Sequence, residues 1–346
     1  MSCPASGDRT LVTVAEIADL LGVRSAISRA GLRTSLMPQH KLAETLVSTA
    51  QASGHPIGAT GRGLLESYEH RVEYYRRITD DSGVAAVVLK GLSILDSYPA
   101  GIARGMVDLD LHCRDAGCFW NCAVQVHTSV GGEPLLALWQ VGDVTHYVVA
   151  FERPVDGFEA PYRVEISTNA FPGDFATTPS RVLSGELANL PGPAHNLLLI
   201  AEEQFQRGII GRDLVDCVYL MQDEALRSAT GELARAAEHL GLVGQLHALV
   251  SHPLVDRHMP EAASDLMRAL SACSQRPARR DPRPIDRPVQ AIHLMPAVES
   301  PADRTTVRGD ILLSPLGAFA LTRENELSQQ WMDDHLEAAR RAWTAV

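Results

Sequence analysis

The stretch VVLKGLSILDSYPAGIARGMVDLDLH, residues 87–112, contains the pattern that decides the fold of this chain. An apolar, β-branched run over residues 84–89 predicts a buried strand, which ends at a Lys-Gly turn. The next residues, 92–98, predict a short helix that a Pro and a Gly end. A second predicted strand begins at Met106.

Two acidic residues alternate with apolar residues on this second strand. Because successive side chains of a strand point to opposite faces, Asp108 and Asp110 share one face, whereas Val107, Leu109 and Leu111 are expected to point into the core. Two neighbouring carboxylates repel each other unless a cation lies between them, and such oxygen ligands suit Mg²⁺. The alternative is the solvated face of an edge strand, where alternating acidic residues are common.

The order of these features resembles the nucleotidyltransferase superfamily, to which polymerase β belongs, and within it the bacterial "uncharacterised nucleotidyltransferase" family. The shared pattern is Leu-Lys-Gly, a Tyr-Pro break, and then Arg-x-Met-x-Asp-x-Asp. The matching residues are Leu89, Lys90, Gly91, Tyr98, Pro99, Arg104, Met106, Asp108 and Asp110. The resemblance covers about residues 80–220. The chain departs from this family in two places. The superfamily usually has Gly and Ser adjacent, but here Leu92 separates Gly91 from Ser93. The family often has a His where this chain has Ser167.

The resemblance implies an α+β fold: a nucleotidyltransferase-like mixed β-sheet flanked by helices, with helical N-terminal and C-terminal segments. It also implies a third carboxylate on a later strand, and Glu165 in the run YRVEI, residues 162–166, fits that position. The implied activity is transfer of an NMP group from an NTP, with ATP the expected donor. Two Mg²⁺ ions would be held by Asp108, Asp110 and Glu165.

The resemblance further implies nucleotide contacts in and after the Lys-Gly turn. Gly91 would let the backbone approach the triphosphate, and the Ser93 hydroxyl would donate to a phosphate. Lys90 and Arg104 are candidate phosphate ligands, Arg104 through its bidentate guanidinium. Either cation could instead form a structural salt bridge to the carboxylates.

A second candidate nucleotide contact is the Arg-Asp-x-x-Asp run of Arg212, Asp213 and Asp216. Related nucleotidyltransferases carry such a run on a helical segment that faces the nucleotide, which implies that Arg212 and Asp213 contact it. The alternative is the capped start of a helix, since Asp is favoured near the positive end of the helix dipole.

Length and composition limit the classes of protein. A chain of 346 residues predicts two or three packed units, and we divide it into segments 1–79, 80–180, 181–274 and 275–346. The formal net charge of −11 disfavours general binding to nucleic acid. There is no apolar run of membrane-spanning length and no signal-peptide core, which predicts a cytoplasmic protein. Cys113, Cys118 and Cys122, near two His, could form a zinc cluster, but their spacing favours buried thiols.

Outside the motif, the local patterns predict mainly helices. A capping box at Thr13 and Glu16 begins the first helix, and Gly22 ends it. The other predicted elements are helices over 64–78, 115–128, 195–206 and from 212, strands over 146–151 and 161–166 joined by a turn with Pro154, Asp156 and Gly157, a Pro/Arg-rich linker over 275–288, a strand over 310–321 and a helix over 324–343.

The sequence therefore predicts a nucleotidyltransferase acting on a small-molecule or peptide acceptor in a biosynthetic pathway, because an acidic protein is poorly suited to a polynucleotide. Two alternatives remain. The chain could be an inactive protein of this fold that binds a nucleotide or peptide. It could also be an oligomerising accessory protein, with its C-terminal tail forming a homodimer contact.

Overall fold

The structure is a computed structural model that describes residues 10–25, 28–37, 40–81, 86–141, 144–155, 161–169, 189–273, 289–297, 305–323 and 328–344. The chain forms two compact units. The helical unit comprises Met1–Glu73, Lys90–Met106 and Arg181–Arg280, and the sheet unit comprises Tyr74–Leu89, Val107–Ser180 and Asp281–Val346. Each unit combines segments that are distant in sequence, whereas the four predicted segments were consecutive.

The described helices, in chain order, are α1 (Val14–Leu21), α2 (Arg29–Ser35), α3 (Ala43–Ala52), α4 (Ala59–Asp81), α5 (Gly91–Leu95), α6 (Ala116–Val130), α7 (Gly192–Glu202), α8 (Gly211–Met221), α9 (Glu224–Ser228), α10 (Thr230–Leu240), α11 (Val243–Val250), α12 (Pro253–His258), α13 (Pro260–Ala272) and α14 (Gln329–Thr344). A 3-10 turn, Glu203–Phe205, continues α7. None of these described helices combines the length and apolar character needed to cross a bilayer.

The helical unit is organised around α8, whose eleven residues are all buried. This helix packs against α7, α11 and α12. Its Tyr219 hydroxyl accepts a hydrogen bond from the Val12 backbone N–H at 3.2 Å, just before α1. The predicted capping box of α1 is confirmed, since Thr13 and Glu16 bond each other's backbone N–H groups. Gly22 ends α1 in the left-handed conformation, with φ of 63°.

The described strands are β1 (Val87–Leu89), β2 (Asp108–His112), β3 (Leu135–Val141), β4 (Val144–Arg153), β5 (Tyr162–Ser167), β6 (Val289–Pro296), β7 (Thr306–Arg308), β8 (Ile311–Ser314) and β9 (Gly317–Thr322). They form one nine-stranded sheet in the order β1-β2-β5-β4-β3-β6-β9-β8-β7. Only the β2–β5 pair is parallel, so the sheet is mixed, as expected for the α+β class.

The two faces of the sheet differ at β2, β5 and β4. On one face, Leu109, Leu111, Val164 and Ile166 are buried, and α6 packs against β4 and β5. The opposite face carries charged side chains, as the period of two along each strand requires. We call it the polar face and define it by Asp108 and Asp110 of β2, Arg163 and Glu165 of β5, and Glu152 of β4.

Four details of the predicted strands were wrong. The strand predicted to be buried, β1, lies at one edge of the described sheet, and its Val87 is 55% exposed. Val107 lies just before β2 and is 41% exposed, so only Leu109 and Leu111 point into the core. The strand β3, which pairs along its whole length with β4, was missed. The strand predicted over 310–321 is a hairpin of β8 and β9 that turns at Pro315.

The C-terminal tail belongs to the sheet. Its strand β6 pairs with β3, and β9, β8 and β7 follow in turn. Helix α14 packs on β6, β8 and β9 through Ala339, which is fully buried, and through Trp331 and Trp343. The predicted linker over 275–288 and the predicted turn residues Asp156 and Gly157 lie outside the described residues.

We expect Gly132→Ala to destabilise the protein strongly. Gly132 has φ of 84°, and an added Cβ would lie 2.7 Å from the backbone oxygen of Glu152 in β4. Left-handed backbone strain costs on the order of 1–2 kcal/mol in a residue with a Cβ, and the contact with β4 adds to it. Chemical denaturation of the purified variant measures the loss.

Gly22→Ala is the control for this variant. Gly22 also has a left-handed backbone, with φ of 63°, but a Cβ there would meet nothing within 4 Å. Gly22→Ala should therefore lose only the free energy that backbone strain costs. Equal losses of stability for the two variants would show that the contact with β4 does not matter.

Candidate functional site

The three predicted carboxylates lie together on the polar face. Asp110 is the register partner of Glu165 across the parallel β2–β5 pair, and Asp108 is the partner of Arg163. In-register residues of neighbouring strands point to the same face. Both Asp residues are half-buried. The structure thus brings Asp108, Asp110 and Glu165 onto one surface, although Glu165 is more than fifty residues later in the chain.

A cation already contacts this surface. The Arg163 guanidinium donates through one nitrogen to Glu152 at 2.8 Å and through another to Glu165 at 3.2 Å. All three side chains are partly exposed, between 37% and 40%. Burial alone would lower the pKa of Arg163, but the two carboxylates raise it above its usual value. Sequence analysis missed Arg163, although it lies two residues before Glu165 and so on the same strand face.

The donor chemistry of the polar face fits a hard divalent cation, since carboxylate oxygens are its preferred ligands. The contact between the Arg163 guanidinium and Glu165 shows that the polar face accommodates a positive charge. In the described residues, however, no three His, Cys, Asp or Glu side chains are gathered closely enough to hold a metal ion. The carboxylates of the polar face are therefore not preformed as a metal site in this structure.

Tyr75, near the end of α4, holds the two carboxylate-bearing strands at one end. Its hydroxyl donates to the backbone oxygen of Val107 at 2.7 Å and accepts from the backbone N–H of Arg163 at 3.1 Å. The side chain is fully buried. The same hydroxyl therefore links the residue before β2 to β5 and helps to fix their register.

The predicted nucleotide-contacting residues lie in the helical unit, where Lys90 has an unusual backbone. Its φ is 44°, a left-handed value that a residue with a Cβ adopts at a cost of about 1–3 kcal/mol. The Oδ1 atom of Asn196, a buried residue of α7, accepts from the Lys90 N–H at 2.9 Å and lies 3.1 Å from the Ser93 hydroxyl oxygen. The Ser93 hydroxyl also lies 2.7 Å from the Lys90 carbonyl oxygen, so these two acceptors engage it. Gly91 follows as the first residue of α5 and is buried.

The Lys90 ammonium forms an ion pair with Glu203 at 2.7 Å. Glu203 also pairs with Arg207, which in turn contacts Asp213 at 2.6 Å. Burial alone would raise the pKa of Glu203, but the charges of Lys90 and Arg207 lower it to about 2. The structure therefore agrees with the alternative that Lys90 forms a structural salt bridge, with Glu203 as its partner. Asn196 and Glu203 lie seven residues apart along α7 and its 3-10 turn, and sequence analysis missed both.

Arg104 is 3% exposed and forms a two-pronged ion pair with Asp216 of α8, at 2.8 Å and 2.7 Å. The Tyr98 hydroxyl donates to the same carboxylate at 2.6 Å. Burial raises the pKa of Tyr98 well above its usual value, and the charge of Asp216 adds to this effect. The guanidinium predicted to bind phosphate is therefore engaged inside the helical unit, and phosphate binding by Arg104 stays a prediction.

Arg212 and Asp213 begin α8. The Asp213 carboxylate accepts from the Ile210 N–H at 3.0 Å, as the alternative of a capped helix start expected. Arg212 is 8% exposed and donates to the Gly105 carbonyl oxygen at 3.2 Å, while its Nε has no hydrogen-bond partner among the described residues. Contact of either residue with a nucleotide stays a prediction.

Cys113, Cys118 and Cys122, which follow β2 in the chain, are not joined in disulfides. Cys113 and Cys122 are fully buried, and Cys118 of α6 is half-buried. Burial raises the pKa of Cys118 to about 11, which keeps this thiol protonated at neutral pH.

We expect the Arg104–Asp216 pair to be strongly coupled in stability. Arg104→Leu leaves the Asp216 charge buried without its main partner, which typically costs about 3–5 kcal/mol. The double substitution Arg104→Leu/Asp216→Leu should lose less than the two single losses added together. Urea denaturation of all four proteins gives the coupling energy. The exposed pair Arg235 and Glu232 is the control and should show a coupling below about 1 kcal/mol.

We expect the stabilisation by Glu203 to depend on pH. Because its pKa is lowered from 4.5 to about 2 on folding, the ionised carboxylate stabilises the folded state above pH 4.5, and this contribution is lost as the pH falls towards 2. The difference in unfolding free energy between wild type and Glu203→Gln should therefore be constant near neutral pH and shrink below about pH 4.5. Denaturation curves from pH 7 downwards measure it. A pH-independent difference would contradict the assignment of its pKa.

Comparison with known proteins gives little further information. No family model and no curated protein matches this chain. A Helicobacter pylori structure described as "putative nucleotidyltransferase" is 17% identical, with a TM-score of 0.29, and the match covers 60% of this chain and 94% of that one. JHP933, also from Helicobacter pylori, is 17% identical, with a TM-score of 0.28, and the match covers 59% and 89% of the two chains. At these TM-scores the two likenesses show nothing about the function of this chain.

Proposed function

We propose that this protein is a Mg²⁺-dependent nucleotidyltransferase that moves an NMP group from an NTP, with ATP the expected donor, to a small-molecule or peptide acceptor. The observation that carries the proposal is the placement of Asp108, Asp110 and Glu165 on one face of two adjacent parallel strands. The Lys-Gly turn and the Arg-x-Met-x-Asp-x-Asp pattern before β2 support it.

In this proposal Asp108 and Asp110 would hold two Mg²⁺ ions, and Glu165 would hold one of them. The bound ions would supply charge neutralisation for the phosphate oxygens, which is the main requirement of phosphoryl and nucleotidyl transfer. Glu165 would also accept the proton of the acceptor group. Its partly exposed carboxylate can turn without any change in the backbone of β5.

The phosphate contacts are proposed for the residues of the Lys-Gly turn and α8. Lys90 would exchange Glu203 for a phosphate, and Gly91 and Ser93 would contribute backbone and hydroxyl contacts. Arg212 would donate through its Nε, which has no hydrogen-bond partner in the described part of the chain, while Asp213 keeps the start of α8 in place.

Arg104 is proposed for the same phosphate site, although its guanidinium is engaged by Asp216 in the structure. The net charge of −11 favours a small-molecule or peptide acceptor over a polynucleotide. A cytoplasmic location and a biosynthetic role belong to the same proposal.

We expect nucleotide to stabilise the wild-type protein only in the presence of Mg²⁺, and Asp108→Asn/Asp110→Asn to abolish this effect. A ligand at about a hundred times its Kd adds roughly 2.7 kcal/mol to the unfolding free energy, a readily measurable shift in Tm. Thermal unfolding with each NTP, combined with an assay of pyrophosphate release, tests both binding and turnover. Asp310→Asn, an exposed carboxylate elsewhere in the sheet unit, is the matched control.

The two measurements separate the alternatives. Stabilisation without pyrophosphate release, in the presence of candidate acceptors, would identify an inactive nucleotide-binding protein. A wild-type protein that responds to no NTP with or without Mg²⁺, and forms a stable dimer, would instead favour the accessory role.

A further inference from the structure

We propose that Asn196 of α7 is a positioning residue for the Lys-Gly turn, because its side-chain oxygen holds Lys90 in a backbone conformation that a lysine does not keep by itself. The consequence for nucleotide binding rests on the proposed function, since Lys90 and Ser93 contact phosphate only in that proposal. The hold on Lys90 is a property of the protein alone, so it is tested without nucleotide.

The backbone of Lys90 is unfavourable for a residue with a Cβ. Its φ is 44° and its ψ is −132°, whereas glycine adopts positive φ values as readily as negative ones. In the described part of the chain, Lys90 and Lys41 are the two residues other than glycine with a positive φ. Such a conformation persists where the surrounding structure enforces it, and it is common at functional sites. A contact within the helical unit must therefore enforce it.

Asn196 supplies this contact. Its Oδ1 atom accepts from the Lys90 N–H at 2.9 Å and lies 3.1 Å from the Ser93 hydroxyl oxygen. Asn196 is 3% exposed, so its side chain is shielded from water. Because an N–H group that loses its acceptor in a buried place raises the free energy of the folded state, the position of Oδ1 fixes where the Lys90 N–H points.

The conformation of Lys90 also sets the direction of its carbonyl group. That oxygen accepts from the Ile94 N–H at 3.1 Å, a bond at the start of α5, and lies 2.7 Å from the Ser93 hydroxyl oxygen. A rotation of Lys90 to an ordinary backbone conformation would turn this carbonyl away from Ile94. Asn196 therefore holds the start of α5 and the Ser93 hydroxyl together with Lys90.

The ion pair of Lys90 with Glu203 is the other candidate cause of the unusual backbone. The ammonium lies 2.7 Å from the Glu203 carboxylate. A lysine ammonium is carried on a flexible stem, so its position restricts the backbone of the same residue only weakly. Two variants separate the causes, because Lys90→Ala removes the ammonium and keeps the Cβ, whereas Lys90→Gly removes both.

The experiment is amide hydrogen exchange of the nucleotide-free protein, followed at Ile94 by NMR. Asn196→Leu removes the acceptor with a side chain of similar size, and we expect the Ile94 amide to exchange about fivefold faster, as for the loss of one hydrogen bond. Asn196→Asp keeps an oxygen at this position and should exchange slowly. Ser48→Ala is the matched control, because the Ser48 hydroxyl accepts from the Ala103 N–H at 2.8 Å in the same unit. It should leave Ile94 unchanged.

Substitution of Lys90 separates the positioning role from an ordinary hydrogen bond. Glycine adopts the observed backbone without strain, so Asn196→Leu should leave Ile94 exchange unchanged when it is combined with Lys90→Gly. Combined with Lys90→Ala, which keeps the Cβ, Asn196→Leu should accelerate exchange as it does in wild type. Equal acceleration in the two backgrounds, or none in either, refutes the positioning role. Acceleration in the alanine background alone supports it.

Nucleotide titration separates this inference from the proposed function. If wild type binds an NTP, Asn196→Leu should raise its Kd about fivefold, and Ser48→Ala should leave it unchanged. An unchanged Kd in Asn196→Leu refutes the consequence for nucleotide. A wild-type protein that binds no NTP refutes the proposed function, while Ile94 exchange still decides the role of Asn196. Thermal unfolding confirms that each variant is folded, and Asn196→Ala takes the place of Asn196→Leu if the latter does not fold.

Discussion

Parallel pairing between β2 and β5 is the constraint on which the candidate site depends. The pairing puts Glu165 beside Asp110, although the two residues are far apart in the sequence. A shift of one residue would move every charged side chain of β5 to the buried face. The buried hydroxyl of Tyr75 opposes such a shift, because it bonds both the residue before β2 and the start of β5. The apolar residues of both strands oppose it further, since Leu109 and Val164 are fully buried.

Charged groups serve different purposes in the two units. The Arg104–Asp216 pair is almost completely buried, so its charges stay together because neither can be hydrated alone. The contacts of Arg163 are partly exposed, so water can replace them at little cost. A buried pair of the first kind suits a fixed scaffold, whereas an exposed pair of the second kind can exchange partners.

Local sequence patterns predicted the structural features that neighbouring residues determine. They missed the features that depend on residues distant in the chain. Alternation predicted that Asp108 and Asp110 share a face, and the capping box of α1 was confirmed. The signal for the β8–β9 turn was also present, because Ser314-Pro315 followed by Gly317 is typical of a β-turn. The left-handed backbone of Lys90 and its bond to Asn196 could not be predicted, since α7 lies about a hundred residues later. The run of β3, LLALWQV, lacks the strict alternation that indicates a half-buried strand.

The joining of β6 to β3 makes the tail a protective part of the sheet. Only three residue pairs connect the two strands, Leu136–Ala291, Ala137–Gln290 and Leu138–Val289. A chain that ended before β6 would leave the N–H and C=O groups of β3 without partners along one edge. Unpaired edges of this kind invite pairing with other chains, and Leu135 is already more than half exposed. A protein shortened at this point should self-associate, so the last strands contribute to solubility as well as to the fold.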